Sequence, residues 1–324
     1  MPDHQPKDFA RTVEIPERAD RSRVEERRLR RLRKRRVRWA TATAALLLGV
    51  AAAYTARCIQ PTAADGAQLD ARAPAAPPGA LKLASALTPV MRSLGDARLS
   101  VALLDTKSDK WAAYGGDAFD TASIVKVDIL STLLLQAQDA GRTLTVQERR
   151  LTTDMIENSD NESTSTLWAQ IGNATGLDKA NKRLGLTQTK GGEGTVWGIT
   201  QTTASDQIRL LEAVFGDRSS LSADSRAYIQ HLMYHIAPDQ DWGVSAAADA
   251  SRPTALKNGW LQRSQTLKWD VNSIGRIEKN GRVFYLAVLL NGCSTEEIGI
   301  DLVEHAARAA VTAFSKVLTG TPTS

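Results

Sequence analysis

Two pairs of strand-like segments at opposite ends of the chain constrain the fold more than any other feature of the sequence. The first pair covers residues 98–106 and 110–116 with a turn at Lys-Ser-Asp, and the second covers 267–278 and 282–290 with a turn at Lys-Asn-Gly. Helical patterns fill the sequence between the pairs and also lie outside them. The predicted helices are 84–94, 121–140, 161–172, 203–215, 222–235 and 299–318.

This order of elements predicts the fold class. Strands at both ends with helices in the middle are typical of an α+β domain, in which an antiparallel sheet is flanked by helices and a helical subdomain is inserted between its strands. The composition agrees, because 42% hydrophobic residues, 22 Gly, 11 Pro and 2 Cys exclude collagen-like, disulfide-scaffold and wholly disordered chains. The 324 residues are enough for one or two domains with a sizeable core.

The net charge of +5 belongs to the N-terminal tail. Residues 1–60 hold 15 Lys and Arg against 7 Asp and Glu, a net +8, which leaves 26 against 29, or −3, for the rest of the chain. The positive charge is therefore no evidence that the folded part binds nucleic acid, and we expect no nucleic-acid partner.

The tail carries the pattern of a membrane anchor. A basic segment, 27–38, precedes an uncharged segment, 39–56, whose length is near the lower limit of about 17 residues for a bilayer-spanning helix. Dense Lys and Arg hold the preceding end of such a helix in the cytoplasm. We expect a basic cytoplasmic tail at 1–38, a single transmembrane signal anchor at 39–56, an Ala- and Pro-rich linker at 57–82 and an extracytoplasmic domain at 83–324.

Other interpretations of the tail stay open. A secretory signal cleaved near Ala52 or Ala56 would release the domain, and a basic arm would bind nucleic acid. Cys58 suggests a lipoprotein, but Arg57 stands where a small residue is expected. A disulfide from Cys58 to Cys293, the only other cysteine, competes with two free or buried thiols, which the sequence favours.

A serine and a lysine share one face at the start of the predicted helix 121–140. Ser123 and Lys126 lie at i and i+3, so the hydroxyl and the amine can meet. Apolar neighbours desolvate the lysine, which lowers its pKa and leaves some of it as the neutral amine. A neutral amine can take the proton from a serine nucleophile. Alone, this spacing also fits an ordinary helix start.

Two further motifs follow along the chain. Ser159-Asp160-Asn161 precedes a predicted helix, where a second hydroxyl can relay protons and an amide can orient a carbonyl. Lys257-Asn258-Gly259-Trp260 reads as the start of a strand, where a cation attracts a carboxylate and glycine lets a ligand approach the backbone. Taken alone, the first of these is better explained as a cluster of helix-capping residues.

Together and in this order, the three motifs resemble the SxxK, SDN and KTG signature of class A β-lactamases and penicillin-binding proteins. The resemblance covers roughly residues 83–318 and implies a β-lactamase-like fold. It implies Ser123 as the acylated nucleophile, Lys126 as its activator and Ser159 as a proton shuttle. It also implies Lys257 as a catalytic residue that tunes Ser159 and binds the substrate carboxylate. Asn161 would contact the substrate amide, Asn258, Gly259 and Trp260 would line the substrate site, and the backbone N–H groups of Ser123 and Trp260 would stabilise the oxyanion.

The sequence departs from the family pattern in two places. Asn258 replaces the hydroxyl residue of KTG, and the ExxLN motif that class A enzymes use to activate the deacylating water is absent. Glu193, flanked by glycines, is a candidate for the missing base, although a solvated loop carboxylate is the simpler interpretation. An acyl-enzyme is therefore expected to form and to turn over slowly.

These observations lead to one main prediction and two alternatives. We expect a membrane-anchored extracytoplasmic serine hydrolase, monomeric, acting on a small β-lactam or a peptidoglycan-like peptide without a cofactor. A binding or sensing module with little or no turnover is the first alternative, and a protein whose basic tail carries the function is the second. His231 and His235 lie one helical turn apart, but with no HExxH sequence we expect no metal site, and most tryptophans are expected to pack in the core.

Overall fold

A computed structural model of the chain describes residues 78–319, and the sheet predicted from the two strand pairs is its central feature. Five antiparallel strands lie in the order β2-β1-β7-β6-β5, so that the two chain ends meet in the middle of the sheet, where β1 pairs with β7. The α+β prediction with an antiparallel sheet is confirmed. The strands are β1 Arg98–Asp105, β2 Lys110–Tyr114, β3 Phe119–Asp120, β4 Gln201–Thr202, β5 Ala255–Gln262, β6 Trp269–Lys279 and β7 Arg282–Cys293.

Helices flank the sheet and fill the sequence between β2 and β5. A separate two-stranded ladder, β3 with β4, ties the start of this helical region to its middle. In the described residues the α-helices are α1 Pro78–Arg92, α2 Val125–Asp139, α3 Val146–Glu157, α4 Asn161–Gln170, α5 Asn173–Leu184, α6 Ala204–Phe215, α7 Ala223–Tyr234 and α8 Glu296–Thr319.

Local sequence signals explain many of the boundaries. Asn280 and Gly281 have φ of +51° and +68°, as a two-residue turn between the paired strands β6 and β7 requires. Thr203 and Ser222 cap α6 and α7 by accepting hydrogen bonds from the backbone N–H groups three residues on. Gly141, with φ of +62°, follows the end of α2, as expected for a glycine stop.

The structure differs from the sequence prediction in three segments. Helix α1 begins at Pro78 and so includes residues assigned above to the linker. Helix α3 was not predicted, because it is polar and buries only four of its side chains. Helix α5 was not predicted either, because Gly172 and Gly176 read as helix breakers. A Cβ at Gly176 would lie 1.7 Å from the carbonyl oxygen of Ile171, so this close turn requires glycine.

Two hydrophobic cores lie on opposite faces of the sheet. Alternate residues of β1 point to opposite faces, so Leu99, Val101 and Leu103 pack with α1 and α8, whereas Ala102 and Leu104 pack with the helices between β2 and β5. The second core contains nearly all of α2, which is buried along most of its length. This burial fixes the position of the helix that carries Lys126.

Several predictions concern residues that the structure does not describe. The tail 1–38, the anchor 39–56 and Cys58 lie outside the described residues, as does most of the linker 57–82. Within residues 78–319, none of the helices combines the length and the apolar character that crossing a membrane requires. Cys293 is a buried free thiol at the end of β7.

Candidate active site

The predicted nucleophile, Ser123, lies in a single turn of 3₁₀-helix, Ala122–Ile124, that leads directly into α2. Asn272 on β6 donates its side-chain amide to the carbonyl oxygens of Asp120 and Thr121, at 2.8 and 3.1 Å. Ala122 has a left-handed φ of +46°, a strained conformation that persists only where the surroundings hold it. The sheet thus fixes the turn that presents Ser123, which keeps 9% of its surface exposed.

Gly259 lets the edge strand β5 approach this turn. A Cβ at Gly259 would lie 2.6 Å from the backbone nitrogen of Ser123 and 2.8 Å from that of Ile124. Side chains do not approach backbone atoms this closely, so the contact requires glycine. The N–H of Ser123 and residue Trp260, which follows Gly259, are therefore near one another, as an oxyanion site built from these two backbone groups needs.

Lys126 follows Ser123 by three residues, in the first turn of α2, and is completely buried. Its Nζ lies 3.0 Å from the hydroxyl of Ser159, 2.7 Å from the carbonyl oxygen of Ser159 and 2.8 Å from Oδ1 of Asn161. Ser159 has a φ of +54°, which directs both its hydroxyl and its carbonyl at the amine. Asp160 then caps α4 by accepting from the backbone N–H of Ser163, at 2.7 Å. Two of the three sequence motifs therefore meet at one amine.

The third motif reaches the same hydroxyl from the other side. Lys257 on β5 is also completely buried, and its Nζ donates to Oγ of Ser159 at 3.0 Å. The other acceptors of Lys257 are Oε1 of Gln240, at 3.4 Å, and the carbonyl oxygen of Asn258, at 3.1 Å. The Ser159 hydroxyl is thus shared by two buried amines that come from distant parts of the chain.

Burial lowers the pKa of both lysines. The pKa of Lys126 is well below its ordinary value of 10.5 because of desolvation and, secondarily, because of the charge on Lys257. Asp160 opposes this shift. The pKa of Lys257 falls to about 7, again through desolvation. Lys257 can therefore lose its proton in the physiological range, and the neutral form of Lys126 is much more favoured than that of an exposed lysine.

This arrangement can move protons along a short path. As an ammonium group, Lys126 spends its three N–H donors on its three oxygen neighbours and accepts nothing. As a neutral amine it has only two donors and a lone pair, so the Ser159 hydroxyl can donate to it while accepting from Lys257. One proton can then pass between the amines and a bound ligand through Ser159.

Of the other residues predicted to bind substrate, Asn161 is exposed and Asn258 is buried. Asn161 is exposed, and with its oxygen bonded to Lys126 its amide N–H groups face solvent. The amide of Asn258 is buried and donates to the carbonyl oxygens of Gln240 and Trp242, at 2.7 and 3.0 Å. Both donors of Asn258 are therefore occupied within the protein. The ring of Trp260 packs against that of Trp242, with centroids 5.8 Å apart.

Glu193, the candidate deacylation base, is exposed on the loop between α5 and β4. Its carbonyl oxygen accepts from the N–H of Val196, at 3.2 Å, but no hydrogen bond links its carboxylate to Ser123 or Lys126. The residue of this loop that contacts the amine is Trp197, whose ring centroid lies 5.0 Å from Nζ of Lys126. No motif of the sequence points to this role of Trp197.

Two other residues support the site without having been predicted. Asn272 holds the nucleophile turn, and Gln240 contacts Lys257 and Asn258. Asn272 is one of several polar residues of β6, so the sequence does not single it out, and nothing near Gln240 in the sequence points to Lys257. Among the described residues no group of three or more His, Cys, Asp or Glu side chains could hold a metal ion.

The sequence matches the model of a known protein family. The sequence model of a family described as "Beta-lactamase enzyme family" matches residues 132–314, more than half of the chain. The chain belongs to the beta-lactamase enzyme family. The match contains Ser159, Asn161 and Lys257 but begins after Ser123 and Lys126, so the first motif of this beta-lactamase family member rests on the geometry described above.

Relatives with a similar sequence come from mycobacteria. Proteins of Mycobacterium tuberculosis and Mycobacterium bovis that carry the name "Putative lipoprotein LppW" are 27% identical to this family member over 172 residues, which are 51% of this chain. These residues are 54% of the relatives' length, so the chain spans about half the length of the curated relatives it matches.

Solved structures of the same fold include both penicillin-binding proteins and β-lactamases. A PBP-A mutant, solved as an acyl-enzyme complex with penicillin G, has a TM-score of 0.61 and 20% identity over 72% of this chain and 97% of that one. A β-lactamase from Chitinophaga pinensis has a TM-score of 0.63 and 15% identity over 72% of this chain and 99% of that one. At these identities the likeness establishes the fold of the family member and not its activity.

Proposed function

We propose that this family member is an acyl-enzyme-forming serine hydrolase whose nucleophile is Ser123 and whose substrate is a β-lactam or a peptidoglycan-like peptide. The observation that carries the proposal is the Ser159 hydroxyl, held 3.0 Å from Lys126 and 3.0 Å from Lys257. Two buried amines with lowered pKa around one hydroxyl, beside a strained serine turn, form proton-transfer machinery for which the fold alone has no need.

We propose a reaction in which each of these groups has a role. Neutral Lys126 takes the proton of the Ser123 hydroxyl as its oxygen bonds to the substrate carbonyl carbon. The carbonyl oxygen gains negative charge, which the backbone N–H groups of Ser123 and Trp260 stabilise. The C–N bond then breaks, Ser159 donates its proton to the leaving nitrogen, and the ammonium of Lys126 restores the proton of Ser159. An ester on Ser123 and a free amine are the products of this half-reaction.

Substrate binding uses the other motif residues. The amide N–H groups of Asn161 face solvent next to Lys126 and can donate to a substrate carbonyl. Lys257, when protonated, carries a positive charge that attracts a substrate carboxylate. Hydrolysis of the ester needs a base that activates a water molecule. Among the described residues, no carboxylate hydrogen-bonds to Lys126 to act as this base. We therefore expect the acyl-enzyme to form faster than it is hydrolysed.

The test is intact-mass measurement on the full-length chain incubated with a penicillin. We expect a mass increase equal to one penicillin, which the Ser123→Ala variant does not show. A persistent adduct favours a role like that of a penicillin-binding protein, and a transient adduct with loss of the lactam favours a β-lactamase. With no adduct and no lactam consumption for several lactams, the proposal is wrong.

A binding or sensing module is the second candidate. Two observations favour it, because Asn258 spends both amide donors on Gln240 and Trp242 and Glu193 contacts no group of the site. Such a module would bind the ligand at Lys257 and Asn161 without acylation. It is distinguished by saturable penicillin binding that is unchanged in Ser123→Ala.

For location we propose a single-pass membrane protein with the cytoplasmic tail 1–38, the anchor 39–56, the linker 57–82 and the hydrolase domain outside. The name of the mycobacterial relatives describes a lipid anchor in those proteins, and it makes lipidation of Cys58 the alternative to test. Metabolic labelling with a fatty-acid analogue distinguishes them. We expect no label, whereas label lost in Cys58→Ala would replace the transmembrane anchor by a lipid anchor.

A further inference from the structure

An aromatic ring lies beside the Lys126 amine. The amine is completely buried and makes three hydrogen bonds to Ser159 and Asn161. The Trp197 ring lies over it, with its centroid 5.0 Å from Nζ, while Trp197 itself remains half-buried. The ring therefore occupies space next to the amine that water would fill if this side chain were small.

The loop that carries Trp197 is fastened on both sides of the site. Its ends pair with each other, since Lys190 and Gln201 exchange two backbone hydrogen bonds of 2.9 Å. The carbonyl oxygen of Thr200 accepts from the N–H of Thr121, at 2.8 Å, which ties the loop to the nucleophile turn. The indole N–H of Trp197 donates to Oγ of Ser165 on α4, at 3.2 Å, which ties it to the helix of the second motif.

The loop also packs tightly at its base. A Cβ at Gly192 would lie 2.3 Å from the carbonyl oxygen of Val196, so the backbone folds back on itself where only glycine fits. The N–H of Gly192 donates to the hydroxyl of Thr200, at 3.0 Å. Trp168 supports the loop from below by donating its indole N–H to the carbonyl oxygen of Gly194, at 2.9 Å. These contacts orient the ring rather than leave it free to rotate into solvent.

The part of the loop next to Trp197 exposes apolar side chains to solvent. Val196 and Ile199, on either side of Trp197, are 51% and 36% exposed. An apolar rim next to a buried amine keeps water from being held there by hydrogen bonds. In this respect the loop differs from a segment that delivers a water molecule, which needs polar groups aimed at the reacting atoms.

We infer that Trp197 is a positioning residue that seals the Lys126 amine from water and thereby slows hydrolysis of the ester on Ser123. The inference rests on the proposed function in one respect, because the ester must form before its hydrolysis can be slowed. Trp197 acts through Lys126 and through the exclusion of water, and it takes no part in the bond changes. The chain would in this way hold an acylated state rather than release it.

The experiment compares the lifetime of the penicillin adduct in the full-length chain and in variants, by intact mass after removal of free penicillin. We expect the adduct of Trp197→Ala to decay at least about tenfold faster than that of the unchanged chain, since water then reaches the ester. Trp197→Phe keeps a ring and should stay within about threefold. Trp111→Ala is the matched control, because Trp111 is 49% exposed on β2, at the opposite edge of the sheet from β5.

A milder variant keeps the test decisive if Trp197→Ala fails to fold. Ser165→Ala removes only the hydrogen bond to the indole and alters an exposed position. We expect its adduct to decay about twofold faster, in the same direction as Trp197→Ala. An adduct lifetime that is unchanged in folded Trp197→Ala, or in Ser165→Ala when the first variant does not fold, would overturn the inference.

A second readout separates this inference from the proposed function. The pKa of Lys126 can be followed without any substrate by NMR titration of lysines labelled at Cε, with Lys126→Gln identifying the signal. Access of water stabilises the ammonium, so the pKa in Trp197→Ala should rise by about one unit or more, whereas Trp111→Ala leaves it in place. If the unchanged chain never forms an adduct, the proposed function fails while this titration still decides whether Trp197 seals the amine.

Discussion

The two faces of helix α2 bury opposite kinds of ionisable group in opposite kinds of environment. Lys126 is completely buried and bonds to three oxygen atoms of Ser159 and Asn161. Asp128, two residues along, is also buried, but neither of its carboxylate oxygens has a hydrogen-bond partner. The two side chains are therefore about equally buried, but Lys126 has three hydrogen-bond partners and Asp128 has none.

The surroundings of Asp128 repeat this shortage of partners. Asn181 on α5 is the nearest amide, and it tends to lower the pKa of Asp128, yet no hydrogen bond of normal geometry joins them. Thr132, one turn along α2, has an unpartnered hydroxyl, and both polar atoms of the Asn181 side chain are unpartnered as well. Burial, with smaller contributions from the charges of Asp178 and Asp206, raises the pKa of Asp128 to about 8.

This difference distinguishes a residue with a proposed role in the reaction from one whose burial only lowers the stability of the fold. Lys126 can exist with or without its proton because the Ser159 hydroxyl can accept from the ammonium group and donate to the neutral amine. Asp128 has no such neighbours, so near neutral pH it remains protonated, and its ionisation would leave a buried charge without compensation. A strongly shifted pKa marks both residues, but only the one with partners belongs to the site.

The largest expected effect comes from removing the amine on the partnered face. Lys126→Gln keeps the length of the side chain and cannot accept a proton, so acylation by penicillin should slow by about 10²–10⁴-fold. Rapid-quench intact-mass measurement gives the rate. Lys179→Gln, at an exposed position of α5, is the matched control and should acylate normally. Acylation of Lys126→Gln within a few-fold of the unchanged chain would show that the two faces do not differ in function.

The second effect is a pH dependence of substrate binding set by Lys257. With a pKa of about 7, lowered by burial, Lys257 is a cation below pH 7 and loses its charge above it. The KM for a penicillin with a free carboxylate should therefore rise about tenfold per pH unit above pH 7, and that for its methyl ester should not. Steady-state or acylation kinetics from pH 6 to pH 9 provide the measurement. Equal profiles for acid and ester would remove Lys257 from carboxylate binding.

The third effect appears in stability and tests the unpartnered face. The pKa of Asp128 is about 8 when folded against an ordinary 3.8, so the folded state keeps a proton that the unfolded state loses between these values. The free energy of unfolding therefore falls as pH rises from about 4 to about 8 and is level above that. Asp128→Asn removes this loss and should add about 2 kcal/mol at pH 8, a rise in Tm of about 4–8 °C, with no gain at pH 4.

Calorimetry at pH 4 and pH 8 measures this gain, and the acylation rate supplies the second half of the comparison. Asp128→Asn should acylate within about twofold of the unchanged chain, because Asp128 contacts no group of the site. A gain that is the same at both pH values would mean that Asp128 is not protonated in the folded state. A large loss of acylation would mean that the two faces of α2 are coupled.

The smallest effect is expected at Glu193, which has the charge of a catalytic base but lacks partners in the site. Glu193→Gln should change the lifetime of the penicillin adduct by less than about twofold, since an exposed loop carboxylate is mostly screened by solvent. The same intact-mass assay measures it, with Glu162→Gln, an exposed carboxylate of the first turn of α4, as the control. A tenfold longer lifetime in Glu193→Gln alone would restore Glu193 as the deacylation base.

The parts of the fold that the sequence predicts are those with strong local signals. The turn at Asn280 and Gly281, the caps at Thr203 and Ser222 and the glycine stop at Gly141 each reflect the conformation of one or two residues. Helix α3 carries such a signal too, although it is absent from the predicted helices. Thr145 and Glu148 form a capping box, the Thr-x-x-Glu pattern that marks a helix start.

Other features depend on contacts that no local pattern reveals. Gly176 is read as a helix breaker because its close approach to Ile171 exists only in the folded chain. The ring of Trp197 over Lys126 and the contact of Gln240 with Lys257 join residues that are 71 and 17 positions apart. The face of the sheet on which the Asn258 side chain lies is predictable from the sequence, since strand alternation places it opposite Lys257 and Gly259.

The pairing of β1 with β7 has a consequence for the order in which the molecule can be completed. Arg98 on β1 meets Asn291 on β7, 193 positions later, so the first strand to be synthesised waits for the last one before it has a neighbour in the middle of the sheet. The ribosome, and any export machinery, therefore handles a chain in which β1 has β2 along one edge but no partner along the other for almost the whole of its synthesis. A chain shortened before residue 282 would lack β7, and with it the N–H of Leu290 that donates to the side-chain oxygen of Asn272, at 3.2 Å, and so orients the residue that holds the nucleophile turn.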